Sequence, residues 1–160
     1  MESKGHILWA DDEIEMLKPH ILYLENKGYE VTPVKTGEDA IHFCDEQNVD
    51  LVVWPESSTS TYILQGNDFY LKWIQGELQN SKLISGIPYY SGKNTERKYY
   101  NSAVLIQADS VKDIYHKLQL VPMAEYIPLS DYFTSLKKLN LGQSNFTHGT
   151  NYTIMDVNKI

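Results

Sequence analysis

A chain of 160 residues has room for one domain with a real core and is short for two independent ones. Its 42% hydrophobic and 22% charged residues exclude a disordered chain, and a net charge of -7 with scattered lysines and arginines argues against a nucleic-acid partner. The single cysteine, Cys44, excludes an internal disulfide and a thiolate zinc site and favours a reducing, cytoplasmic setting; no apolar run approaches the ~20 residues that span a bilayer.

In chain order, residues 6 to 10 predict a short buried strand ending at Asp11 and Asp12. Ile14, Leu17, Ile21 and Leu24 then repeat with helical spacing, Gly28 closes that helix as a C-terminal cap, and Pro19 is expected to kink it. Residues 29 to 34 predict a second strand. Thr36 to Asp39 resembles a capping box opening a helix through about Gln47, with Ala40, Ile41 and Cys44 inward, and residues 49 to 54 predict a third strand. That β-α-β-α-β order implies a parallel sheet covered by helices. Beyond it come a polar loop at 57 to 61, a helix from about 68 to 79, and a strand at 83 to 87. Residues 102 to 107 and 111 to 116 form an expected antiparallel hairpin, and a short helix is expected at 131 to 139. The predicted class is α/β, a parallel start continuing into a mixed sheet.

Residues 7 to 41, with Ile-Leu-Trp-Ala-Asp-Asp-Glu, Gly-Tyr-Glu-Val and Thr-Gly-Glu-Asp-Ala-Ile, resemble the opening of a bacterial response-regulator receiver domain. The resemblance implies a Mg²⁺ site at the acidic pair Asp11 and Asp12, since a hard cation seeks carboxylate oxygens. It also implies a phosphoacceptor aspartate after the third strand, but Pro55 stands there and has no nucleophilic oxygen, so phosphorelay fails at its central step. The family's lysine-proline is absent too, because Gln107 and Ala108 follow the only comparable strand.

A second set of stretches occurs in the order and rough spacing of the nitrilase superfamily: Leu51-Val-Val-Trp-Pro-Glu56, Gly86-Ile-Pro, Tyr99-Tyr-Asn-Ser-Ala, Tyr115-His-Lys117 and Leu120 through Pro128. They most resemble the catalytic domain of apolipoprotein N-acyltransferase. The resemblance implies Glu56 as general base, Lys117 as stabiliser of a tetrahedral intermediate and Glu125, eight residues later, as a supporting carboxylate. It implies acyl transfer from a phospholipid to a lipoprotein's N-terminal amine at the inner membrane, without a further cofactor. It places the nucleophilic cysteine past the last residue of this sequence, so the chain is expected to be inactive as given. Cys44, on the apolar side of a predicted helix, is expected to be a buried small hydrophobe.

The chain thus reads as a hybrid, receiver-like over 1 to 48 and nitrilase-like over 49 to 160, packed as one unit. The alternative function is a degenerate receiver that binds a protein partner without phosphorylation. Plainer readings stand beside each site residue: Asp11 and Asp12 as helix caps, Glu56 as a solvated loop acid, Lys117 as a strand end. The five histidines show no ligand spacing, and the pairs Tyr89-Tyr90 and Tyr99-Tyr100 read as core and rim.

Overall fold

The computed structural model describes residues 3–37, 39–40, 43, 49–56, 58–59, 61–66, 68–78, 80–93, 96–129 and 145–157. A six-stranded sheet organises them. Its strands are β1 (His6–Ala10), β2 (Glu30–Val34), β3 (Leu51–Val53), β4 (Lys82–Ser91), β5 (Lys98–Ile106) and β6 (Val111–His116), in the order β2-β1-β3-β4-β5-β6. The first four neighbours run parallel, and β5 and β6 fold back antiparallel. The sheet is therefore mixed, as its connections require, since tight turns join only antiparallel strands.

The helical segment after β1 is not one kinked helix. A 3-10 turn at Ile14–Leu17 leads into α1 (Lys18–Asn26), and Pro19 lies in the first turn of α1, where its missing N–H would have had no intrahelical acceptor. The proline marks a start instead of a bend. Gly28 adopts φ 94°, its N–H bonds Glu25 O and that of Tyr29 bonds Leu24 O, a Schellman ending that needs the left-handed backbone. At Thr36 the hydroxyl accepts the Asp39 N–H at 3.0 Å, so the cap forms as expected. The remainder of that helix, with Cys44, and the helix expected at 131 to 139 lie outside the described residues.

Alternation along the strands divides the core between the sheet's two faces. Leu8, Ala10, Val52, Leu83, Ile87, Val104 and Ile106 pack with Ile74 and Leu78 of α2 (Asp68–Leu78) on one face. Ile7, Val31 and Leu51 pack with Ile14 and Ile21 on the other. Pro33 falls in β2, an edge strand, where a lost ladder donor is tolerated.

β4 and β5 run past the parallel part of the sheet as a two-stranded ribbon, with Tyr89 opposite Tyr100 and Tyr90 opposite Tyr99. Pro88 is compatible with this because β3 stops short: Gly86 N–H bonds Pro55 O at 3.3 Å, so the Pro88 nitrogen, on the same side two residues on, faces no strand. Among the described residues no helix is long and apolar enough to cross a membrane.

Candidate functional site

Three backbone anchors bring the candidate residues together. Trp54 N–H bonds Ile84 O and Gly86 N–H bonds Pro55 O, so Glu56 is held at the carboxyl end of β3. Lys117 immediately follows β6, and its N–H bonds Asn101 O of β5 at 2.9 Å. Glu125 lies in a tight loop in which Met123 takes φ 67° and its N–H bonds Tyr126 O at 2.8 Å.

The Lys117 ammonium lies between the two carboxylates, 3.2 Å from Glu56 Oε1 and 3.1 Å from Glu125 Oε1. Asn101, buried in β5, donates its amide to the same two oxygens, at 2.7 Å for Glu125. Sequence reasoning did not select Asn101, although it lies within the Tyr99-Tyr-Asn-Ser-Ala stretch; the only local signal is a lone amide in an apolar strand. The Val121 N–H completes the cluster by donating to Glu125 Oε2 at 2.7 Å.

The carboxylates are not equivalent. Glu125 is 12% exposed and accepts from Asn101, Lys117 and Val121, whereas Glu56 is 60% exposed and lines an open cleft. Burial raises the Glu125 pKa, but the Val121 N–H, the Asn101 amide and Lys117 outweigh it and hold this carboxyl below its ordinary range. Burial likewise pulls on the Lys117 ammonium, and its bonds to Glu125 and Glu56 outweigh that, leaving its pKa above the ordinary lysine value. The arrangement thus holds one hydrogen-bonded carboxylate whose charged form is favoured, one cation and one carboxyl group open to a reactant.

The cleft beside Glu56 has a volume of about 730 Å³ and is also lined by Asp11, Asp12, Lys35, Trp54, Tyr70 and Trp73. The acidic pair therefore shares an opening with Glu56. Asp11 Oδ1 accepts the Glu13 N–H at 2.9 Å, a local capping bond, and Asp12 is exposed. Among the described residues no group of three or more His, Cys, Asp or Glu side chains is arranged to hold a metal ion. On the opposite face of β5 and β6, His116 Nδ1 lies 2.8 Å from Ser102 Oγ, with the ring stacked 4.3 Å from Tyr100, and burial lowers its pKa.

The described residues thus form a mixed sheet with a carboxylate, a lysine and a second carboxylate gathered at one end of its strands. The carbon-nitrogen hydrolase family model matches residues 30–157, and the chain belongs to that family. It is 33% identical over 128 residues to apolipoprotein N-acyltransferase 2 of Treponema denticola, covering 72% of this chain and 23% of that protein. To the apolipoprotein N-acyltransferase of Geobacter metallireducens it is 32% identical over 113 residues, covering 69% of this chain and 22% of the relative. The chain thus spans less than a quarter of the length of these relatives. A glutamine-dependent NAD+ synthetase from Acinetobacter baumannii aligns over 74% of this chain and 21% of its own, at TM-score 0.45 and 16% identity. The family model and the two N-acyltransferase relatives support the nitrilase-like reading, and the receiver-like one stays a resemblance of residues 7 to 41.

Proposed function

We propose that the chain carries part of an acyl-transfer site of the N-acyltransferase kind, with Glu56 as general base, Lys117 as oxyanion stabiliser and Glu125 as the group that holds Lys117. The observation that carries this is the single ammonium bridging both carboxylates at 3.2 and 3.1 Å. A thiol attacks an acyl carbonyl only after losing its proton, and the exposed Glu56 carboxylate is the group able to take it. As the carbonyl oxygen gains charge, Lys117 offsets it, while Glu125 keeps the lysine charged and in place. By resemblance the acyl donor is a phospholipid and the acceptor an amine. Among the described residues no cysteine stands beside Glu56 and Lys117, and without a thiol these residues offer only positioned water.

The test supplies an external thiol. Thiolysis of an activated acyl ester by a small external thiol is measured with wild type, Glu56→Gln and Lys117→Ala. A tethered base contributes about 10²–10⁴-fold, and a diffusing thiol forfeits the positioning share, so an acceleration of at most about tenfold is expected. Both variants should fall to background. Equal rates for all three proteins would remove the site reading.

The receiver-like alternative keeps one supporting feature, the parallel order β2-β1-β3 with Asp11 and Asp12 at the carboxyl end of β1. Pro55 offers no phosphoacceptor, so that reading is of partner binding alone.

A further inference from the structure

We infer that residues 146–149 form a strap that sets the position of Lys117 and Glu125, with Gly149 as its positioning residue. This deepens the proposed function and rests on reading Lys117 and Glu125 as its working pair. The segment makes backbone bonds to the three stretches that bear Glu125, Asn101 and Lys117. Phe146 N–H donates to Glu125 O at 2.7 Å, Thr147 N–H to Tyr99 O at 2.6 Å, two residues before Asn101, and Gly149 N–H to Lys117 O at 3.0 Å. His148 Nδ1 lies 2.9 Å from Leu118 O. Lys117 is therefore held from both sides, its N–H by Asn101 O and its carbonyl by Gly149, just past the end of β6.

The contact at Gly149 admits no side chain. A Cβ there would overlap the His116 carbonyl oxygen and press on its carbon and Cβ, and backbone atoms cannot turn aside as the end of a flexible side chain can. Any larger residue must lift the strap off β6, and the Gly149 bond to Lys117 is then lost. The glycine is required here by close approach. Gly76, within α2, has nothing within 4 Å of the equivalent position and serves as the control.

The experiment reads Lys117 directly. Its side-chain carbon resonances are followed through alkaline titration by NMR in wild type, Gly149→Ala and Gly76→Ala. Wild type should titrate above the ordinary lysine value of 10.5, because Glu125 and Glu56 hold the charge. Gly149→Ala should move that midpoint down towards 10.5 and broaden the Glu125 resonances, while Gly76→Ala leaves both in place. A folded Gly149→Ala protein with the wild-type Lys117 midpoint overturns the strap, whatever the thiolysis result. If Gly149→Ala does not fold, amide exchange in the wild type decides instead. The Phe146, Thr147 and Gly149 amides should be protected to the same degree as the Lys117 amide, and free exchange of the three beside a protected Lys117 overturns the inference.

Discussion

Two groups of carboxylates reach the same cleft, one through Glu56 and the other through Asp11 and Asp12, and they differ in what satisfies them. Around Lys117 the acids come from sequence-distant elements, one after β3 and one in the loop beyond β6, and a cation and an amide are shared between them. Beyond β1 the acids are adjacent in sequence, and the side-chain bond described for Asp11 reaches only two residues along the chain. Tertiary structure thus assembles the first group, whereas local backbone geometry suffices for the second. Perturbation should follow that division, being large and pH-dependent at Lys117, and small and local at Asp11 and Asp12.

The largest effect is expected at Lys117. Lys117→Met leaves Glu125, 12% exposed, with its Asn101 and Val121 donors but no counter-charge, at a cost of about 1–3 kcal/mol for an under-satisfied buried polar group. Glu56→Gln breaks the more exposed of the two ion pairs and should cost only about 0.2–1 kcal/mol. Urea unfolding of both variants measures the contrast. Equal losses would show that the two carboxylates are not held differently.

A pH series sharpens the same contrast. Glu125 is held below the ordinary carboxyl value of 4.5, so its contribution is present above 4.5 and is lost as pH falls through its lower folded value. Lys117 is raised above 10.5, so its contribution is present below 10.5 and is lost as pH rises through its higher folded value. His116, lowered from 6.5, adds an earlier acid loss that begins below 6.5. Unfolding free energy should therefore be greatest between the His116 and Lys117 limbs. In Lys117→Met the alkaline limb attributable to Lys117 should disappear and the Glu125 limb shrink, with the His116 loss unchanged.

Much of this architecture was legible in the residues. The six strands announced themselves because each is an apolar or β-branched run bounded by turn residues, and Gly28 and Thr36 perform the terminal roles their chemistry suggests. The extension of β4 through Pro88 was not, since a proline reads as a strand breaker until the end of β3 leaves that side of the ribbon open. Pro19 misled for a related reason: its effect depends on whether the helix starts before or at it, which local periodicity does not settle. At the site, Glu56, Lys117 and Glu125 were picked out by the resemblance of the stretches that carry them to the nitrilase superfamily. Asn101 was not, because an asparagine acquires its partners only when the sheet is assembled and its amide, carried on β5 beyond β4, reaches Glu56 after the end of β3. The strap was illegible for the same reason, as nothing in Phe146 to Gly149 predicts which carbonyls it will meet.

The smallest effects separate two roles for the acidic pair. As a local cap, Asp11 accepts the Glu13 N–H through Oδ1, so Asp11→Ala should cost about 0.5–2 kcal/mol. Asp11→Asn, which keeps an acceptor oxygen in the same place, should recover most of that. Asp12 is exposed, and Asp12→Ala should stay within about 0.5 kcal/mol. A cation held between the two would reverse this pattern. Either substitution to asparagine or alanine would then remove a charge that the ion requires, the two positions would matter alike, and added Mg²⁺ would raise the midpoint of the wild type alone, because a ligand that binds only the folded state stabilises it by mass action. Thermal unfolding of wild type, Asp11→Ala, Asp11→Asn and Asp12→Ala, each with and without millimolar Mg²⁺, reads both patterns together. Asparagine rescue at Asp11 with no response to Mg²⁺ assigns the pair to the backbone; a Mg²⁺-dependent rise abolished by Asp12→Ala assigns it to the ion, and would make the receiver-like start more than a likeness of sequence.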